Sequence, residues 1–168
     1  SVDRSTTFML VGQPGDESAI SYSIVNQYLL QDLYIVSPVT GASGFGSAVS
    51  ISSTGIGVIA APTSNSNLGY VHVLKINPTT SKYDIIQVLA APDLDANGKF
   101  GSTVAVSDDG NWLAVGQPNV DGGYVYVYQL VDRAVPPPTS QTFTGDGSTL
   151  SFTLTGTAAN PQSLSVIT

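Results

Sequence analysis

Few residues in this chain could do chemistry, and their spacing limits what that chemistry would be. Asp93, Asp95 and Asn97 alternate in DLDANG, residues 93–98. A D-x-D-x-N-G loop places alternate oxygens around a hard cation, calcium for choice, and its glycine permits the sharp bend. The loop has no glutamate at its twelfth position, where helical calcium loops carry one, and an ordinary acidic turn would use the same residues. His72 is the only histidine and the chain has no cysteine, so zinc has too few ligands. A Ser-His-Asp arrangement would need His72 as its base, but this histidine sits mid-strand where a second, similar segment has Tyr126; packing is the expected role. Glycoside hydrolysis requires two facing carboxylates, whereas most acids here stand in turns, as Asp108 and Asp109 do before Gly110. Trp112 and the stripe Tyr124, Tyr126, Tyr128 could stack on a sugar ring, although packing between sheets accounts for them as well. The residues therefore predict a protein that is not an enzyme.

Composition points the same way. Only 10% of the 168 residues are charged while 42% are apolar, so the chain can bury a core but must build its surface from Ser, Thr, Asn, Gln and Gly. The net charge of −7 comes from eleven Asp and Glu17 against five Lys and Arg. With no basic run, nucleic acid is not an expected partner. No apolar run is long enough to span a bilayer as a helix. The opening SVDRSTTF has neither an initiator Met nor a signal pattern, which reads as an internal piece of something longer.

The elements that position these residues repeat. FGSAVSISSTGIGVIAAP at 45–62 returns as FGSTVAVSDDGNWLAVGQP at 100–118. Phe45-Gly46 and Phe100-Gly101 lie 55 residues apart, and Gly69-Tyr70-Val71 and Gly123-Tyr124-Val125 lie 54 apart. LVGQP at 10–14 matches AVGQP at 114–118, which makes a partial first copy. Short strands rich in Val, Ile, Tyr and Thr, punctuated by Gly, Asn, Asp and Pro at this period, predict stacked β units. One full unit reads as four strands, near 46–52, 57–61, 70–76 and 83–90. The first and third copies read as three strands each. YVYVYQL, residues 124–130, is apolar on both faces, which predicts a sheet covered on both sides; Ala60, Ala61, Ala114 and Gly116 would allow close approach.

The run F-G-x-x-V-A-V-S-x-D-G-x-x-L-A-V-G-x-P followed by G-x-V-Y-V-Y resembles the FG-GAP family of integrin-like β-propeller repeats, over about residues 8–130. Gln13 and Gln117 stand where that family usually has Ala, and AAP replaces GAP at 60–62. The resemblance implies four-stranded blades. It also implies a calcium loop between the two motifs, whereas DLDANG precedes Phe100. Propellers close with four to eight blades, so this segment would need more blades from its own chain or a neighbouring subunit. An earlier segment of the chain is expected to supply the outer strand that the last copy lacks.

After residue 131 the texture changes. DRAVPPPTSQ reads as a stiff linker over 132–141, because three consecutive prolines enter neither ladder nor helix. Residues 142–168 read as a β-hairpin around Gly145–Gly147 and a further strand at 164–167. The pattern F-x-G-D-G-x-x-x-x-F-x-L, then V-x-V, resembles a short module of bacteriophage tail and fibre proteins.

The expected fold class is thus all-β: a partial β-propeller over 1–131, a proline-rich linker, and the start of a second small β domain. The expected function is a bacteriophage virion structural protein of the tail, a nozzle, fibre or host-contact appendage. It would assemble with copies of itself and other tail proteins, and meet a host polysaccharide or receptor through loops such as 65–68 and 119–122. The alternative is a secreted or surface bacterial calcium-dependent adhesin; a third reading uses the propeller as scaffold for an enzyme whose catalytic residues lie elsewhere. No cofactor is expected beyond calcium at Asp93, Asp95 and Asn97.

Overall fold

A computed structural model describes residues 1–5, 7–39, 43–92, 97–119 and 122–130. The linker at 132–141 and the module at 142–168 lie outside the described residues. The strands belong to one compact unit, Ser1–Val131, and form three antiparallel sheets.

The first sheet contains β1 (Val2–Arg4), β2 (Phe8–Gln13), β3 (Ser18–Val25) and β4 (Tyr28–Val36). The second contains β5 (Ala48–Ile51), β6 (Ile56–Ala61), β7 (Tyr70–Ile76) and β8 (Tyr83–Ala90). The third contains β9 (Thr103–Val106), β10 (Trp112–Gln117) and β11 (Tyr124–Gln129). In every sheet the strands pair in chain order. The first strands β1, β5 and β9 touch one another in succession, so the sheets splay outward from a line of inner strands, as blades do.

The two-residue period of the strands decides the packing. In the second sheet, Ile59, Ala61 and Leu74 are buried against Leu10, Ala19 and Ile35 of the first. The intervening residues Val58, Ala60, Val71 and Val73 are buried against Leu113 and Val115 of the third. Each large apolar side chain so buried contributes about 1.5–3 kcal/mol, so these two seams hold the unit together. Small residues let the sheets approach: Gly46 and Gly101, with φ of +91° and +88°, leave no room for a Cβ against Gly12 and Ser18 of the first sheet and Ala60 and Val71 of the second.

Each repeat also closes its inner hairpin with one serine. The Oγ of Ser5, Ser52 and Ser107 accepts the backbone N–H of Phe8, Ile56 and Trp112 at 3.0, 2.9 and 2.9 Å. Gly55 and Gly110 take the positive-φ position of the second and third of these turns, as turn chemistry requires.

Three expectations change. The first sheet has four strands, because Val2–Arg4 pairs with β2 in the register Val2↔Val11 to Arg4↔Met9. VDR is too short and too charged to signal a strand; its partner imposes the conformation. No strand covers the outer edge of β11 among the described residues, so the expected earlier segment is not found there. Nor is β11 covered on both faces: Tyr126 and Tyr128 pack on the second sheet, but Val125 and Val127 are 71% and 64% exposed.

Candidate functional site

The connections sort to the two ends of the sheets. Hairpins β1–β2, β5–β6 and β9–β10 lie at one end, while the loops β2–β3, β6–β7 and β10–β11 and the connections between sheets lie at the other. That second end is the candidate functional face, since loops presented by a rigid scaffold are where binding groups concentrate.

Its residues are mostly amides and hydroxyls. Residues 64–67 form a short turn of helix, α1, in which Asn65 and Ser66 adopt left-handed φ of +49° and +58°. Asn67 Nδ2 donates to Asn97 Oδ1 at 3.1 Å, and Asn65 Nδ2 donates to the Tyr70 hydroxyl at 3.3 Å. Backbone bonds fasten the connection beneath: Lys99 N–H to Asn67 O at 2.8 Å, Phe100 N–H to Leu68 O at 3.1 Å, and Asn119 N–H to Gly98 O at 3.3 Å. The loop at 65–68, the Asn97 turn and Asn119 are therefore tied to one connection. Among the described residues the same end also carries Asp16, Glu17 and Lys99, so the face offers hydrogen-bond donors and acceptors together with charge.

Of the calcium candidates, Asp93 and Asp95 lie outside the described residues. Asn97 has φ +71°, and its side-chain oxygen is engaged by Asn67. Among the described residues no three His, Asp or Glu side chains cluster as a metal site would require.

His72 is fully buried in the seam between the first and second sheets. Its Nδ1 lies 3.3 Å from Ile59 O, and its Nε2 lies 3.0 Å from Ser37 Oγ. A carbonyl only accepts, so Nδ1 carries the proton, and Nε2 accepts from the serine. Burial pulls the imidazole down to about 4, only partly opposed by the Ile59 bond. The ring is packed edge-on against Phe45 at 4.9 Å. Phe100 and Tyr126, the corresponding residues one repeat later, meet in the same way at 5.6 Å. The sole histidine is a packing residue.

The hairpin end explains Asp108 and Asp109. Ser53 donates through its N–H and Oγ to Asp108 O at 3.1 and 2.8 Å, which joins the second and third hairpins. The exposed Asp109 carboxylate accepts from Ser107 Oγ, Asn111 N–H and Asn111 Nδ2 at 2.5, 3.0 and 2.8 Å. The Ser107 bond, followed by those of Asn111, holds it below the usual carboxylate range.

The aromatic residues do not form one platform. Trp112 stands opposite Gln129, and Leu113 opposite Tyr128, so Trp112 belongs to the face of β10 that carries Val125 and Val127. Tyr124, Tyr126 and Tyr128 belong to the other face.

Two residues that the sequence did not single out join the first two sheets. Glu17 Oε2 accepts the Phe45 N–H at 2.9 Å. Asp3 Oδ2 accepts from Ser50 Oγ and Ile51 N–H, both at 2.9 Å. Asp3 and Ser50 occupy the same repeat position, and Ser50 Oγ in turn accepts Val106 N–H at 3.1 Å. Each inner strand thus offers a side-chain oxygen to the next inner strand. Aligning the repeats by their Phe-Gly pairs links Ser50 with Ala105; only the paired strands bring in Asp3.

Comparison with known families places an FG-GAP repeat at residues 85–128. This stretch runs from β8 through the connection and into β11. No curated protein matches the chain. Among the described residues no helix is long and apolar enough to cross a membrane.

Proposed function

We propose that the protein is a non-enzymatic structural component of a bacteriophage virion, in the tail: a nozzle, fibre or host-contact appendage. The observation that carries the reading is the division of labour in the repeat. The conspicuous polar residues, Asp3, Glu17, Ser50, His72 and Asp109, are bonded to neighbouring backbone and side chains within and between sheets. They build a scaffold, and its looped end carries amides suited to contact with a polar host surface. The resemblance of residues 142–168 to tail and fibre modules supports the virion part. The test is mass spectrometry of purified particles from the source. Peptides of this chain at a fixed copy number per particle are expected; their absence from particles and recovery from the cell envelope would overturn the reading.

The FG-GAP repeat at 85–128 also favours a second reading, a secreted or surface adhesin that uses calcium at Asp93, Asp95 and Asn97. Calcium-dependent melting distinguishes it.

A further inference from the structure

The looped end carries one side chain whose own backbone can attack it. Asn97 precedes Gly98, and it is the only asparagine of the chain followed by glycine. Asn97 is exposed and takes a left-handed φ of +71°, a conformation that asparagine tolerates better than most side chains. Because glycine has no Cβ, nothing on residue 98 hinders the approach of its nitrogen to the Asn97 amide carbon.

That nitrogen is uncommitted. Gly98 N–H reaches no acceptor among the described residues, although the groups beside it are bonded: Gly98 O accepts Asn119 N–H at 3.3 Å, and Lys99 N–H donates to Asn67 O at 2.8 Å. The Asn97 side-chain oxygen, in contrast, already has a donor, since Asn67 Nδ2 lies 3.1 Å from Asn97 Oδ1. Attack at Cγ places negative charge on this oxygen. A donor aimed at it stabilises that charge more than it stabilises the neutral amide, which lowers the barrier.

Other asparagines lack the combination. After Asn67, the Leu68 N–H donates to Asn65 O at 3.2 Å, and after Asn111 the Trp112 N–H donates to Ser107 Oγ at 2.9 Å. Asn77 is followed by Pro78, which has no N–H to give.

We propose that Asn97 is a self-modifying site, which converts to aspartate and isoaspartate without an enzyme, and that Asn67 is the donor that speeds the conversion. The Gly98 nitrogen bonds to Asn97 Cγ and gives its proton to solvent; the side-chain nitrogen takes up a proton and leaves as ammonia, closing a five-membered imide. Water then opens the ring. Cleavage of the new N–Cγ bond leaves aspartate, and cleavage of the original peptide bond leaves isoaspartate, whose main chain runs through Cβ and Cγ. One water is consumed and one ammonia released, with no change of oxidation state. Both products add a negative charge to the looped face. Isoaspartate also inserts one main-chain atom just before Gly98, whose carbonyl ties Asn119 to the same connection, so it alters the arrangement of the face as well. The inference stands whichever of the two functional readings holds.

The purified chain is incubated at mildly alkaline pH and sampled over time. Peptide mass spectrometry follows Asn97, with fragmentation that separates the two products, and circular dichroism confirms folding. Conversion of Asn97 in the folded chain is expected, in both products, while Asn67 and Asn111 remain amides. Its rate should rise with pH, because the attacking nitrogen must give up its proton. Asn67→Gly, which suits the φ of +65° at that residue but has no side-chain donor, should slow conversion about fivefold, the weight of one ordinary hydrogen bond. Gly98→Ala, whose methyl hinders the attack, should slow it more. An intact Asn97, or conversion only after unfolding in urea, would overturn the inference, and a rate unchanged by Asn67→Gly would overturn the role of Asn67. None of these results bears on whether the chain occurs in particles.

Discussion

The carboxylate of Asp3 accepts the backbone N–H of Ile51 at 2.9 Å, which links the inner strand of the first sheet to that of the second. The same oxygen takes the Ser50 hydroxyl, so one side chain satisfies two donors at the seam. Asp3→Ala should lower unfolding free energy by about 1.5–3 kcal/mol, the range for hydrogen bonds to a charged acceptor. Asp3→Asn, which keeps an acceptor, should lose less. Urea unfolding followed by fluorescence of the single tryptophan decides between these outcomes and no effect.

His72 gives the unfolding equilibrium a pH signature. Its folded value of about 4 lies below the unfolded 6.5, so the unfolded chain binds more protons between them. Stability from the neutral buried ring is complete above pH 6.5 and is lost as pH falls toward 4, at up to about 1.4 kcal/mol per pH unit. The difference between wild type and His72→Gln should narrow as pH drops through this window, and a constant difference would count against it.

Gly46 combines positive φ with close approach. A Cβ there would run into the Ser18 carbonyl oxygen, which is backbone and cannot swing aside. Gly46→Ala should cost more than about 2 kcal/mol, because alanine is strained at positive φ and the clash with backbone adds to that strain. The contrasting Gly15→Ala meets nothing within 4 Å and should be close to neutral; equal melting temperatures for the two variants would contradict this packing.

The bonds to the Asp109 carboxylate predict an NMR titration midpoint below that of an ordinary aspartate. Ser107→Ala removes the foremost of them and should raise the midpoint. An unchanged midpoint would mean that this hydroxyl does not hold the proton off.

Calcium separates the two functional readings. For the tail protein, calcium and a chelator should leave the same melting temperature. A rise with calcium that disappears in Asp93→Ala together with Asp95→Ala would favour the adhesin.

Much of this architecture was legible in the sequence because it is periodic. The paired Phe-Gly motifs, the alternation in Tyr70–Ile76 and the glycine turns at 55 and 110 are local signals, and they determined an all-β chain of stacked sheets. Local signals also sufficed to place His72 in packing, since its repeat counterpart is a tyrosine. What they could not reach were groups defined by a partner. Val2–Arg4 becomes a strand only because β2 supplies hydrogen bonds, and Asp3 and Glu17 acquire their roles only when the second sheet brings Ile51 and Phe45 to them. Tertiary structure also decided which apolar faces are covered. YVYVYQL has the same alternation as a strand packed on both sides, yet Val125 and Val127 are exposed because no described strand or sheet lies beyond them. Periodicity records what a surface is built to touch; only the arrangement of the sheets determines whether something touches it.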